Sequence, residues 1–214
     1  MVDLVVRNMR AIVGPCRAVI VLREDMRTAA SSVDLANDME LLYVPQLTQG
    51  AASTVEHALE FVRDDEEVIV ANSDQIVEFD GHDFEESTIG TQGTILTFRC
   101  PERDPKWSYA ALDADGYVER VAEKNPISEH ATVGVYRFET AKLLRDAINY
   151  MRLADDRTNG EFYLCPSYNH MPVGSCVVTV NVWNMWGLGT PEDLERSLAD
   201  TNFNDYVRRA LISC

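Results

Sequence analysis

Glu66-Glu67-Val68-Ile69-Val70-Ala71-Asn72-Ser73-Asp74-Gln75 ends a short apolar run abruptly in polar residues that carry one carboxylate. A β-branched run without alternation suits a strand covered on both faces, as in a parallel α/β sheet. Ligands in such sheets gather beyond the carboxyl ends of the strands, which is where Asp74 would sit. The same residue types also suit an Asn-Ser-Asp turn that satisfies local backbone groups. These ten residues leave both readings open.

Working outward, Leu4, Val5 and Met9 have helical spacing, and Ala18 to Leu22 reads as a strand after the Gly14-Pro15 turn. Leu41 to Val44 reads as the next strand and Thr54 to Val62 as a helix capped by Thr54. Gly93 to Phe98 is strand-like, and Asp113-Ala114-Asp115-Gly116 has the residue types of a hairpin turn between Tyr109–Leu112 and Tyr117–Val121. Beyond it, Thr132 to Phe138 and Cys176 to Val182 are strand-like, and Ala141 to Met151 and Glu161 to Tyr168 are helical. Pro191 opens a last helix beside Glu192 and Asp193, two acids that complement its dipole. The order predicts one α/β domain over residues 1–214: a Rossmann-like mixed, mostly parallel sheet with helices on both faces and a small β-hairpin elaboration.

Composition narrows the function classes. The 214 residues, 46% hydrophobic, are enough for a real core, and no apolar run approaches the roughly 20 residues of a spanning helix. With no signal pattern at the start, a cytoplasmic location is the expectation and a membrane partner is not. Lys plus Arg total 19 against 35 Asp plus Glu, a net charge of −16, so a nucleic-acid backbone would be repelled. Cys16, Cys100, Cys165, Cys176 and Cys214 are scattered without a Cys-x-x-Cys pair and read as reduced thiols.

Seven segments then carry a resemblance: Thr48-Gln49-Gly50-Ala51-Ala52-Ser53-Thr54, Asn72-Ser73-Asp74, Trp107-Ser108-Tyr109-Ala110, Val121-Ala122-Glu123-Lys124, Ala131-Thr132-Val133-Gly134-Val135-Tyr136, Asn159-Gly160-Glu161 and Gly187-Leu188-Gly189-Thr190-Pro191-Glu192-Asp193. In this order and spacing the chain resembles the sugar-phosphate nucleotidyltransferases over nearly its whole length. The resemblance implies an enzyme joining a nucleoside triphosphate (CTP, UTP or dTTP) to a phosphorylated sugar or similar metabolite of surface-polysaccharide assembly, with release of pyrophosphate. It implies Mg2+ held by Asp74, a hard cation suited to a carboxylate and phosphate oxygens. Lys124, one of the chain's three lysines, matches the family lysine that holds the acceptor phosphate. Glu123 and Glu161 match acids near the sugar. Gln49 and Gly50 lie where the family approaches the nucleobase, with Asn72 beside them in the substrate site. Gly134 is expected to admit the sugar, and Tyr109 with Trp107 to line the acceptor pocket. A homo-oligomer is compatible with the family pattern.

Two departures accompany the resemblance. The family begins with a strand and a loop of the type Gly-x-Gly-Thr-Arg that cradles the triphosphate, whereas Met1 to Val6 resembles the helix that follows that loop. The second is Gly187, where many members carry an aspartate that completes metal binding. The expectations are therefore an N-terminally incomplete or catalytically silent form, and a sheet that is gapped or rearranged between Ala18–Leu22 and Val68–Ala71. Loop donors of this kind are each worth about 10² to 10³ in rate. A non-catalytic metabolite-binding relative and a nucleotide-sugar glycosyltransferase of similar fold are the alternatives, the latter because Asn72-Ser73-Asp74 also passes for its metal motif.

Overall fold

The computed structural model describes residues 2–30 and 39–212; Met1 and Cys214 lie outside them. In chain order the helices are α1 (Val2–Val13), α2 (Arg27–Ala30), α3 (Ala51–Leu59), α4 (Gly81–Ser87), α5 (Ala141–Leu153), α6 (Pro191–Ala199) and α7 (Thr201–Tyr206). The strands are β1 (Ala18–Arg23), β2 (Met39–Val44), β3 (Val68–Ala71), β4 (Gln75–Glu78), β5 (Gly93–Arg99), β6 (Ser108–Leu112), β7 (Val118–Glu123), β8 (His130–Phe138), β9 (Val177–Asn181) and β10 (Asn184–Gly187). The class is the expected mixed α/β. Cys16, Cys100, Cys165 and Cys176 are free thiols.

The main sheet is built around β8, whose residues from Ala131 to Phe138 are all buried. On one edge β8 pairs antiparallel with β5; on the other its second half pairs with β3 and its start with β6, which carries β7. Strand β9 extends the sheet parallel to β5. Strands β3, β5 and β9 thus point one way, with β8 reversed between them. The register of β5 and β8 shifts between Ile95 and Thr97, a bulge in which Gly134 takes a φ of 70°. Such irregularities re-aim side chains beside sites.

Helix α5 shows how sequence pattern becomes packing. Ala141, Leu144, Ala147, Ile148 and Met151 are its buried residues, at helical spacing, and Thr140 caps it by accepting from the Leu143 N–H. Ala141, Leu144, Ile148 and Met151 join Ile95, Phe138, Phe162 and Tyr168 in the largest core cluster. Helix α1 covers the far face; its buried Asn8 donates to the Val77 carbonyl and the Tyr206 hydroxyl and accepts from the Val77 N–H. That side chain ties α1 to β4, which pairs antiparallel with β10.

Strands β1 and β2 form a separate parallel pair. Among the described residues β1 has no partner besides β2, and β3 none besides β8. The sheet is gapped where the sequence reading placed the gap. Arg17 crosses it at one end, donating to the Phe61 carbonyl and to the carboxylates of Glu40 and Glu66. All four residues of β3 are only half-buried, although the apolar run reads as doubly covered.

Two local readings are corrected. Helix α3 starts at Ala51, not at a Thr54 cap: Gly50 holds the cap position, and the Thr54 hydroxyl donates back to the Gly50 carbonyl. Residues 161–168 are not helical. Thr158 and Glu161 exchange backbone hydrogen bonds across Asn159-Gly160, both at positive φ, which makes a two-residue hairpin. A 3-10 turn then runs from Cys165 to His170.

Candidate functional site

Lys124 ends the β6–β7 hairpin with a φ of 52°, a left-handed conformation that a non-glycine residue adopts at a cost. Its N–H donates to the Trp107 carbonyl, and its ammonium donates to the Tyr163 hydroxyl at 2.7 Å. That hydrogen bond, assisted by the charges of Glu123 and Glu161, holds the ammonium above its ordinary pKa. Glu123 is half-buried and accepts a short hydrogen bond from the Ser108 hydroxyl. Burial pushes its carboxyl up; the Ser108 hydroxyl and the Lys124 charge oppose the shift. Strand pairing explains this meeting, since Ser108 and Glu123 are register partners across the hairpin.

The 158–163 hairpin completes this wall. The Phe162 N–H donates to the Gln49 carbonyl, and the Ala52 N–H donates to the Phe162 carbonyl, so the start of α3 is stitched to the segment carrying Glu161 and Tyr163. A Cβ on Gly50 would lie 2.5 Å from the Phe162 carbonyl oxygen. The space that a side chain at position 50 would take is therefore filled by the Phe162 backbone.

The second wall is the end of β3. The Asn72 N–H donates to the Gly134 carbonyl, and the Asn72 side-chain amide lies over Gly134, 2.2 Å from where a Cβ would stand. The Asn72 amide occupies the space that this glycine leaves. Asp74 is exposed, and its carboxylate lies over Gly189, 2.4 Å from that residue's absent Cβ. The Leu188 N–H donates to the Asp74 carbonyl, fixing the β3 end against the Gly187–Gly189 segment. Gly187 leaves room for the Asp193 side chain, which is engaged by Thr190 and Arg196 at the start of α6.

Both walls border one cavity of about 620 Å³, whose lining includes Asn72 and Ser73 from the second wall and Ala51 and Leu164, chain neighbours of Gly50 and Tyr163, from the first. Glu123, Lys124 and Glu161 are brought together through the Ser108 and Tyr163 contacts, whereas Asp74 stands at the end of β3 beside Ser73, and none of the four is among the residues lining the cavity. Tyr109 does not contribute. It has no exposed surface, and its hydroxyl donates to the Asp104 carbonyl within a cluster with Cys100 and Ala131. Sequence reasoning missed Ser108 and Tyr163, which position the Glu123 and Lys124 side chains; Ser108 lay inside a quoted segment, whereas Tyr163 was hidden in a stretch read as helix.

For a divalent cation, Asp74 offers an exposed carboxylate lying over Gly189, a donor type that suits a hard ion. No group of three His, Cys, Asp or Glu side chains among the described residues forms a protein-only cage.

The architecture recurs in solved structures. A nucleoside-diphosphate-sugar pyrophosphorylase from Vibrio cholerae RC9 matches over 91% of this chain and 85% of its own, with a TM-score of 0.74 at 20% identity. The chain shares the fold of that pyrophosphorylase. HddC from Yersinia pseudotuberculosis matches over 90% of this chain and 81% of its own (TM-score 0.60, 15% identity). The same protein complexed with GMP-PN matches with a TM-score of 0.59 at 15% identity, over 89% of this chain and 81% of its own. No protein-family model matches the chain, and a search of the curated proteins found no match. Among the described residues no helix is long and apolar enough to cross a membrane.

Proposed function

We propose that this cleft joins a nucleoside triphosphate to a sugar phosphate or related phosphorylated metabolite and releases pyrophosphate. The observation that carries the reading is the Lys124 cluster: a cation held at positive φ by Trp107 and Tyr163, with Glu123 and Glu161 beside it. One cation flanked by two acids matches a ligand with one phosphate and several hydroxyls. In the reaction an acceptor phosphate oxygen forms a bond to the α-phosphorus, and the bond from that phosphorus to the α,β-bridging oxygen breaks, its electron pair leaving with pyrophosphate. Lys124 neutralises and orients the attacking phosphate; Glu123 and Glu161 accept hydrogen bonds from the sugar hydroxyls. Asn72, which lines the cavity, and Gln49, whose carbonyl accepts from the Phe162 N–H, are the candidates for contact with the nucleotide. Asp74 would hold Mg2+, which when bound neutralises phosphate charge.

The test measures pyrophosphate release with CTP, UTP, dTTP and the purine triphosphates against a panel of sugar phosphates and phosphocholine, with and without Mg2+. Failure of any phosphorylated acceptor to bind in calorimetry would remove the reading. A second reading, binding without turnover, is favoured by the gap between β1 and β3 among the described residues, which adjoins Asn72 and Ser73. Lys124-dependent acceptor binding with no pyrophosphate from any pair selects it.

A further inference from the structure

A buried tyrosine needs a partner for its hydroxyl. Tyr168 donates to the Thr94 and Arg137 carbonyls and Tyr109 to the Asp104 carbonyl, so both rest on main-chain acceptors. Tyr136 of β8, only 5% exposed, meets other hydroxyls instead. It lies 2.9 Å from the hydroxyl of Thr132, itself buried, and it shares a hydrogen bond with Ser108 at the start of β6. Ser108 in turn donates to Glu123 Oε2, and among the described residues Glu123 Oε1 has no hydrogen-bond partner. Thr132, Tyr136, Ser108 and Glu123 thus form a row that starts in the core and ends on a carboxylate of the proposed acceptor site. The Cys165 thiol lies against this row, beside Tyr136 and Ser108.

The ionised carboxylate orders the protons of the row. It can only accept, so the single Ser108 proton goes to it; Ser108 can then only accept from Tyr136, and Tyr136 only from Thr132. Each donation polarises the next hydroxyl and strengthens the last bond, the one to the carboxylate. We infer that Tyr136 is a positioning residue for Glu123: through Ser108 it fixes Oε2 and leaves Oε1 to accept from a hydroxyl of the phosphorylated acceptor. The task given to Oε1 rests on the function proposed above, whereas the ordering of the row does not. The charge nearest the carboxylate is Lys124 on its own hairpin, on which Glu161 also acts; the other titratable groups facing it are Tyr136 on β8 and Cys165 on the 3-10 turn. Burial pushes both the phenol and the thiol up, so in neutral and acid solution they stay protonated and only the carboxylate changes charge.

The experiment titrates the Glu123 carboxyl by carbon NMR in the intact chain and in the variants Ser108→Ala, Tyr136→Phe and Cys165→Ala. Ser108→Ala is expected to raise the midpoint by about one pH unit, the worth of a hydrogen bond to a charged group. Tyr136→Phe, which keeps the ring beside Tyr168, should raise it by about 0.3 unit through the weakened Ser108 donation, and Cys165→Ala should leave it in place. In calorimetry with a sugar 1-phosphate, the pH at which affinity falls should move in Tyr136→Phe as the NMR midpoint does. A purely structural role for Tyr136 would lower affinity equally at every pH, and an unmoved midpoint in Tyr136→Phe overturns the inference. A shift in Cys165→Ala without one in Tyr136→Phe overturns it too, since the thiol would then be the donor to Ser108. Shifted midpoints in a chain that binds no phosphorylated acceptor would uphold the ordering of Glu123 by Tyr136 and remove the function proposed for the site.

Discussion

Strands β3 and β8 are neighbours in one sheet, both mostly apolar through their paired residues, and their fates differ. β8 has partners on both edges, and every residue from Ala131 to Phe138 is buried. Even its charge is accommodated: Arg137, 4% exposed, donates to the Glu67 carboxylate and the Thr91 carbonyl. β3 has β8 on one side and the gap toward β1 on the other, and all four of its residues are half-exposed. A strand's composition sets what it can bury; its neighbours set what it does bury. The proposed site straddles this difference. Lys124 and Glu123 hang from the hairpin carried by the closed part of the sheet, whereas Asp74 stands at the end of the strand bordering the open part.

The largest effect tests the comparison in stability. Phe138→Ala, removing a fully buried ring stacked on Tyr168, is expected to cost about 3–5 kcal/mol. Val70→Ala in β3 should cost about 1 kcal/mol or less, because its side chain is half in water already. Urea unfolding of the two variants reads the difference, and equal costs would mean that the gap is filled in solution.

Next comes the closed side of the site. Lys124→Ala should weaken binding of a phosphorylated acceptor by about 10- to 100-fold, the worth of a charge-assisted hydrogen bond, and leave nucleotide affinity within about twofold. Calorimetry with each ligand separately measures this, and equal losses would remove the acceptor role of Lys124. On the open side, a methyl group at Gly189 would displace the Asp74 carboxylate without entering the core. Gly189→Ala is therefore expected to reduce Mg2+-dependent triphosphate binding by about tenfold while urea midpoints and acceptor binding hold.

The smallest effect is a pH dependence. Burial raises the Glu123 carboxyl above the usual glutamate range, so it becomes protonated at a higher pH than an exposed glutamate as solution is acidified. Acceptor affinity should fall over that window, and Glu123→Gln should flatten the fall at a lower plateau. For folding the sign is opposite. A raised carboxyl pKa means that the native state holds its proton more tightly than the unfolded chain does, so this stabilisation is present below the ordinary pKa and lost as pH rises through the raised one. Glu123→Gln should thus be slightly more stable than the parent at neutral pH, as thermal unfolding can show.

Much of this architecture was legible in the amino-acid order because it rests on local pattern. The apolar runs at Ala18–Leu22, Leu41–Val44 and Gly93–Phe98, the Asp113–Gly116 turn and the Ala141–Met151 helix all appear with the expected type. Periodicity and turn chemistry act over a few residues and need no partner to be read. The short strands β4 and β10 escaped because four residues carry too little periodicity, and they exist through their mutual pairing. The Glu161–Tyr168 stretch was misread since its apolar spacing is helical, while the Asn159-Gly160 turn and the contact with Gln49 impose a hairpin and a 3-10 turn.

The same division holds at the site. The residue types proposed for the site, a lysine beside an acid and an aspartate ending an apolar run, are read directly from the chain. What each glycine accommodates was not, because close approach involves atoms distant in sequence: Gly50 meets the Phe162 backbone, Gly134 the Asn72 amide and Gly189 the Asp74 carboxylate. Nor could sequence separate a buried Tyr109 from a ligand-facing one, or show Tyr163 holding Lys124 in place. Local order specifies which groups a chain can present, but burial and hydrogen-bond partners are properties of pairs, and those pairs come into being when the sheet brings remote segments together.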